Sequence, residues 1–182
     1  MSQIAAKREE EFSRLYSESF DYVYAFVLAR TVGDKRLTEE IVQEAYTAAW
    51  LSFERFQKTS SFQTWVCSIT KNKLRESYRK AIRREKREFV FKEEPVDLED
   101  KSSLEETVLS RERRDAVLKT LNELSPTYRY SLILKYVDRH SVKEIARIIG
   151  KSPKAVDGIL QRAKAAFEKH YKQTEGCENK YE

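Results

Sequence analysis

An all-α chain of two helical domains joined by a flexible acidic linker, the second carrying a helix-turn-helix, is the fold this sequence predicts. Three observations carry that expectation. Apolar residues recur at intervals of three and four, with little β-type alternation. Only four glycines and three prolines interrupt the chain. Between two basic, periodic halves lies KEEPVDLEDKSSLEE, with seven acidic residues, two lysines and few large apolar ones, a composition that solvates rather than packs. The implied boundaries are 1–91 for the first domain, 92–106 for the linker, 107–172 for the second domain and 173–182 for a polar, fraying tail.

The first predicted helix covers Glu11 to Arg30, where Phe12, Leu15, Tyr16, Phe20, Val23 and Val27 form a wide apolar stripe. Val32 to Arg36 turns around Gly33. Thr38 is expected to cap the second helix, with Glu39 and Glu40 in its first turn at the positive end of the helix dipole. Ile41, Val42, Ala45, Ala49, Leu51 and Phe53 are its expected packing residues. Glu40, Gln43, Glu44 and Thr47 share a polar side, for which solvent is the plain reading and a basic protein partner the sharper one.

Gln57 to Ser61, including Lys58, Thr59 and Ser60, is a short polar loop, and Ser61 caps a third helix from Phe62. Phe62, Trp65, Val66 and Ile69 open that helix. From Lys71 to Glu88 it then carries nine basic residues against three glutamates, a density suited to phosphate contacts. Aromatics interleaved with cations also stack unpaired bases. Core burial is favoured for Trp65; for Phe62, core and base platform are left open. The acidic stretch reads either as a solvated spacer or as a tether kept off DNA by repulsion.

Beyond it, Thr107 to Leu124 is a further helix with Val108, Val117, Leu118, Leu121 and Leu124 for packing, and Ser125 with Pro126 starts another through Asp138, supported by Tyr130, Ile133, Leu134 and Val137. Ser141 and Glu144 then form a capping box. Gly150 ends that helix, and Ser152 with Pro153 begins the next. Ile145, Ile148 and Ile149 face Val156, Ile159, Leu160, Ala163 and Phe167 in a small core. Lys151, Ser152, Lys154, Asp157, Gly158, Gln161, Arg162 and Lys164 are left outward, where a recognition helix reaches base edges or phosphates. An ordinary helical hairpin is the alternative.

Composition narrows the function. The net charge of +5 and pI near 9.1 favour a polyanionic partner where basic residues cluster. Cys67 and Cys177 are isolated and only His140 and His170 could join them, so neither a disulfide framework nor a zinc site is expected, and a reducing cytoplasm fits. Burial among apolar neighbours is the favoured role for Cys67 over redox sensing. MSQIAAKREEEF has no signal-peptide core, and no apolar run reaches membrane-spanning length. Nucleophile motifs, clustered carboxylates and phosphate-binding glycine loops are absent, so no enzyme and no cofactor is expected.

TEEIVQEAYTAAWLSFERF, SFQTWVCSITKNKLRESYRK and LNELSPTYRYSLILKYVDRHSVKEIARIIGKSPKAVDGILQRAKAAF, in that order, resemble the core-binding, promoter-melting and promoter-reading segments of the extracytoplasmic-function sigma factors of bacterial RNA polymerase. The resemblance implies transcription initiation. By it, Glu40, Gln43, Glu44 and Thr47 meet the clamp helices of the polymerase's largest subunit, and the second domain meets the flap of the second-largest subunit. Gln57, Lys58, Thr59, Ser60, Ser61, Phe62 and Asn72 capture a minus-ten base, with Lys71, Arg75, Arg79 and Lys80 on phosphates. The recognition helix reads the minus-thirty-five element, the linker threads the polymerase cleft, and an anti-sigma factor is a further implied partner. Ala155, Asp157 and Gly158 depart from the family's usual recognition helix, as Ser125 and Glu76 do elsewhere. The runner-up is a free-standing helix-turn-helix regulator, which needs a dimer surface or sensor domain.

Overall fold

The computed structural model describes residues 3–87 and 108–178. Among these, every regular element is helical, and seven α-helices follow in order: α1 (Gln3–Leu28), α2 (Lys35–Leu51), α3 (Phe62–Arg87), α4 (Val108–Glu123), α5 (Pro126–Leu132), α6 (Val142–Ile149) and α7 (Pro153–Glu178). A 3-10 turn, Phe53–Arg55, follows α2, and a π-helical turn, Ile133–Val137, follows α5. Two compact units, Met1–Glu76 and Ser77–Glu182, divide the chain inside α3. The expected boundary at 91 keeps all of that helix with the first domain, whereas the contacts of its last turns lie with the second unit. The expected linker at 92–106 falls outside the described residues.

In the first unit α1 and α2 pack along Val23, Val27, Ile41, Val42, Ala45 and Ala49, all buried. Asp34, not Thr38, caps α2: its carboxylate accepts from the Leu37 N–H at 2.9 Å. Thr38 is fully buried one turn in, where its hydroxyl meets the Asp34 carbonyl and the Thr31 hydroxyl, each at 2.6 Å. An aspartate three residues before Leu37 satisfies the free donors of the first turn, so the helix starts earlier than Thr38 suggested. Leu51 also departs from expectation. At 77% exposure it lies at the helix end, and Tyr46 takes its place in the core. Tyr46 keeps its hydroxyl 2.9 Å from Ser19, and burial pushes its pKa up to about 12.

The second unit is built on α4, α5, α6 and α7 with the end of α3. Leu121, Leu124, Ile133, Leu134, Ile145, Val156, Ile159 and Ala163 form its apolar centre. Val137, expected there, is exposed because the π-helical turn rotates the last residues before Asp138 outward. Tyr78 of α3 is fully buried against Tyr130, ring centroids 4.2 Å apart. Glu85 accepts from both the backbone N–H of Thr127, at 2.9 Å, and its hydroxyl. His170 bridges α7 to Glu123 of α4 at 3.0 Å. The last helix runs on to Glu178, past the expected end at 172, with no proline to stop it.

Candidate nucleic-acid and protein interfaces

The helix-turn-helix forms where its caps require it. Ser141 accepts from the Glu144 N–H at 3.3 Å, and Glu144 accepts from the Ser141 N–H at 2.8 Å, closing the capping box. The Ser141 hydroxyl also donates to this carboxylate at 2.7 Å, and that bond, with the one from the Ser141 N–H, holds the Glu144 carboxyl below its usual range. Gly150 adopts φ +67°, a left-handed conformation that a Cβ would strain, and Lys151 donates back to the Ala146 carbonyl at 3.0 Å. Ser152 then accepts from the Ala155 N–H at 3.2 Å, with Pro153 at the first helical position.

Val156, Ile159 and Ala163 are buried, so Lys154, Asp157, Gln161, Arg162 and Lys164 are left on the exposed side of α7. Ser152 is exposed at the turn and Lys151 half-buried there. The ammonium of Lys86 beside Lys151 pushes the latter's pKa down, marking a concentration of positive charge. A Cβ at Gly158 would sit 3.4 Å from Nη1 of Arg162, the end of a flexible side chain. The fold itself therefore has no rigid wall that requires glycine at 158.

In the first unit, the loop before α3 is shaped by rings. Phe62 packs edge-on against Phe12 at 5.6 Å and Phe53 at 6.0 Å, and Phe56 stacks on Trp65 at 5.0 Å. Phe62 is only 5% exposed. This decides its open reading for the core and corrects its place among base-contacting residues, because neighbouring rings occupy its faces. Trp65 is half-buried over the same cluster. Gln57, Lys58, Thr59, Ser60 and Ser61 stay exposed. Ser61 accepts from the Thr64 N–H at 3.2 Å, starting α3 where expected.

Two ion pairs were not visible in the sequence pattern. Lys58, at φ +55°, reaches Glu11 at 2.7 Å and so ties the loop to α1; its ammonium holds the Glu11 carboxyl below its usual value. Lys73 meets Glu44 at 3.0 Å, linking α3 to the polar side of α2 and raising the Lys73 pKa. Their partners are remote in the chain, and charge spacing along one helix carries no signal for such pairs.

Glu40, Gln43, Glu44 and Thr47 are all exposed on α2. Gln43 and Thr47 border a groove between α1 and α2 whose walls include Tyr16, Phe20, Tyr24 and Tyr46. Such a face offers acidic and amide groups beside aromatic surface. On α3, Lys71, Asn72 and Lys80 are exposed, and Arg75 bonds Asn72 at 3.2 Å. Arg79 behaves differently. Its Nε donates to the Ile148 carbonyl at 2.8 Å, at the end of α6 and within the second unit, so the guanidinium serves a helix terminus here. Among the described residues no group of histidine, cysteine and acidic side chains could hold a metal, and no helix is long and apolar enough to cross a membrane.

Comparison with known proteins gives two family matches in the order of the two units. The model described as Sigma-70 region 2 matches residues 15–84, and that described as Sigma-70, region 4 matches residues 114–167. The RNA polymerase sigma factor CnrH of Cupriavidus metallidurans is 33% identical over 135 residues, covering 70% of this chain and 69% of its own. The ECF RNA polymerase sigma factor SigX of Bacillus subtilis is 27% identical over 164 residues, covering 89% and 84%. Among solved structures, the sigma factor RpoE in complex with the anti-sigma factor NepR from Bartonella quintana aligns at a TM-score of 0.49 and 21% identity, covering 90% of this chain and 98% of that one.

Proposed function

The chain belongs to the extracytoplasmic-function sigma factors of RNA polymerase, and we propose that it brings core polymerase to promoters through three separate surfaces. As a sigma factor it is a transcription initiation factor and not an enzyme. The assignment of residues to surfaces is our reading. The observation that carries it is that most of the groups each task needs stand exposed, on helices with buried opposite sides or, for Gln57 to Ser61, on the loop before α3.

Glu40, Gln43, Glu44 and Thr47 on α2 would receive the clamp helices of the largest subunit, with Glu44 held in place by Lys73. Gln57 to Ser61 would cradle an unstacked base of the minus-ten element, with Asn72 nearby in sequence at the first cationic turn of α3. Lys71, Arg75 and Lys80 would neutralise phosphates of the displaced strand. Opening DNA in this way uses binding energy alone: stacking and phosphate contacts offset an unstacking cost of about a few kcal/mol. Phe62 contributes by fixing the loop from beneath, not by touching a base.

In the second unit Lys154, Asp157, Gln161 and Arg162 would enter the major groove of the minus-thirty-five element, Asp157 being suited to accept from a cytosine amino group. Lys151, Ser152 and Lys164 would hold the flanking backbone, and the flap of the second-largest subunit is the polymerase surface proposed for this unit. We place the protein in the cytoplasm, and membership of the family makes an anti-sigma factor a further proposed partner.

Run-off transcription with purified core polymerase on fragments of the source genome tests the reading. Discrete starts are expected only when the protein is added. No starts on any fragment, together with no binding to core, would overturn it.

A further inference from the structure

Resting on the reading of α3 as a DNA-facing helix, we infer that Arg30, at the exit of α1, is a further phosphate contact that joins Lys71 and carries the basic stripe of α3 across onto α1. The observation is a ring shared by two cations. The guanidinium carbon of Arg30 lies 3.5 Å from the centroid of Phe26, and Nζ of Lys71 lies 5.8 Å from the same centroid. Arg30 comes from the α1–α2 connection and Lys71 from α3, so packing in the first unit, not chain proximity, brings them together. Both also act electrostatically on the buried Cys67 thiol, opposing the rise that burial gives its pKa.

The turn that presents Arg30 is held firmly. Gly33 donates to the Leu28 carbonyl at 3.0 Å and Thr31 to the Val27 carbonyl at 2.9 Å, a closing pattern that places the residue before Gly33 in the left-handed region. That residue is Val32, at φ +58° and fully buried. A β-branched residue with this backbone is an outlier, of the kind retained where the surroundings over-determine it. Arg30 itself donates from Nη1 to the Phe26 carbonyl at 2.9 Å while its plane rests on the Phe26 ring. Stacking and this bond pre-orient the guanidinium, which lowers the entropy lost when it meets a phosphate.

Two cations on one half-buried ring concentrate positive charge at the surface where a polyanion docks. DNA phosphate is the anion that the neighbouring residues of α3 already select. A purely structural Arg30 would only close the α1 terminus, where a positive charge is favourable in any case. The two roles differ in one measurable respect, the number of counterions released on binding DNA.

The test uses the full-length protein assembled with core polymerase and a fluorescent single strand carrying the non-template minus-ten region of a promoter mapped by run-off. Anisotropy gives affinity against salt. Arg30→Gln is expected to weaken binding roughly fivefold at low salt and to reduce the log–log salt slope by about 0.7, as Lys71→Gln does. A loss near 0.9 on the corresponding duplex fragment, with none on the single strand, would place the same contact on paired DNA. Arg30→Lys keeps the slope even if the turn is less stable, which separates charge from folding. An unchanged slope for Arg30→Gln, with Lys71→Gln and Lys80→Gln both reduced, overturns this inference alone. Unchanged slopes for all three overturn the DNA-facing reading of α3.

Discussion

The loop before α3 depends on rings from separate stretches, Phe12, Phe53, Phe56 and Phe62, and on an ion pair from Lys58 to Glu11, 47 residues away. The helix-turn-helix from α6 into α7 is set by nearby groups: the capping box at Ser141 and Glu144 that starts α6, left-handed Gly150 that ends it, and Ser152 with Pro153 that start α7. One of the two elements proposed to face DNA is thus placed by tertiary packing and the other by local backbone chemistry. The difference predicts how each fails. Loss of a ring should release the first unit broadly, whereas loss of a cap should fray one helix and leave its core in place.

The largest effect is expected at Phe62. Replacing a ring that is 5% exposed by alanine removes contacts with Phe12, Phe53 and Phe56, and such truncations cost about 3–5 kcal/mol. Urea unfolding of Phe62→Ala should show the first unit destabilised by that order. A loss below about 1 kcal/mol would mean the ring is not part of the core, and base stacking by Phe62 would return.

This residue also shows where the sequence stops being informative. Periodicity places Phe62 on the apolar side of α3, and aromatic–basic interleaving equally suits a stacking platform; only the arrival of Phe12 and Phe53 from elsewhere decides. The same limit explains Thr38. Its spacing before Glu39 and Glu40 looks like a cap, yet Asp34 lies one turn earlier and the Thr31–Thr38 hydroxyl pair is buried by packing. By contrast Ser141, Glu144, Gly150 and Ser152 were all legible, because each acts on atoms within a few residues of itself.

Arg79 and Lys80 offer a second contrast between neighbours that the sequence treats alike. Arg79→Ala removes a charge-assisted bond to the Ile148 carbonyl and should cost the second unit about 1.5–3 kcal/mol in thermal or urea unfolding. Lys80 is exposed, so Lys80→Ala should change stability by no more than about 0.5 kcal/mol while lowering the salt slope of DNA binding by about 1. Exchanged behaviour, with the slope following Arg79, would return Arg79 to the phosphate contacts.

A smaller loss is expected from the local caps. Ser141→Ala breaks the capping box and should cost about 1 kcal/mol, with Ser141→Gly milder by comparison. Hydrogen exchange should rise in the first turn of α6 and not at Ile133 or Leu134. Exchange rising equally in both places would show that the caps and the core of this unit are a single cooperative element, and the contrast with the ring-supported loop would narrow.

The smallest effect concerns two carboxylates held below their usual range by different partners. Lys58 lowers the pKa of Glu11, and the hydroxyl and N–H of Ser141 lower that of Glu144. In both cases the folded value lies below the unfolded one. Each contribution is therefore complete above the usual carboxylate pKa and is lost as pH falls through the lowered folded value. Salt should separate them. The exposed Lys58–Glu11 pair is a charge–charge contact that screening weakens, whereas Glu144 is bound by neutral donors that salt leaves alone. Carboxyl carbon titrations by NMR should show the Glu11 midpoint rising toward its ordinary value with added salt while that of Glu144 moves little. Equal movement of both would show that the Glu144 shift comes from nearby charge, His140 and Arg147 being the candidates, and not from the cap.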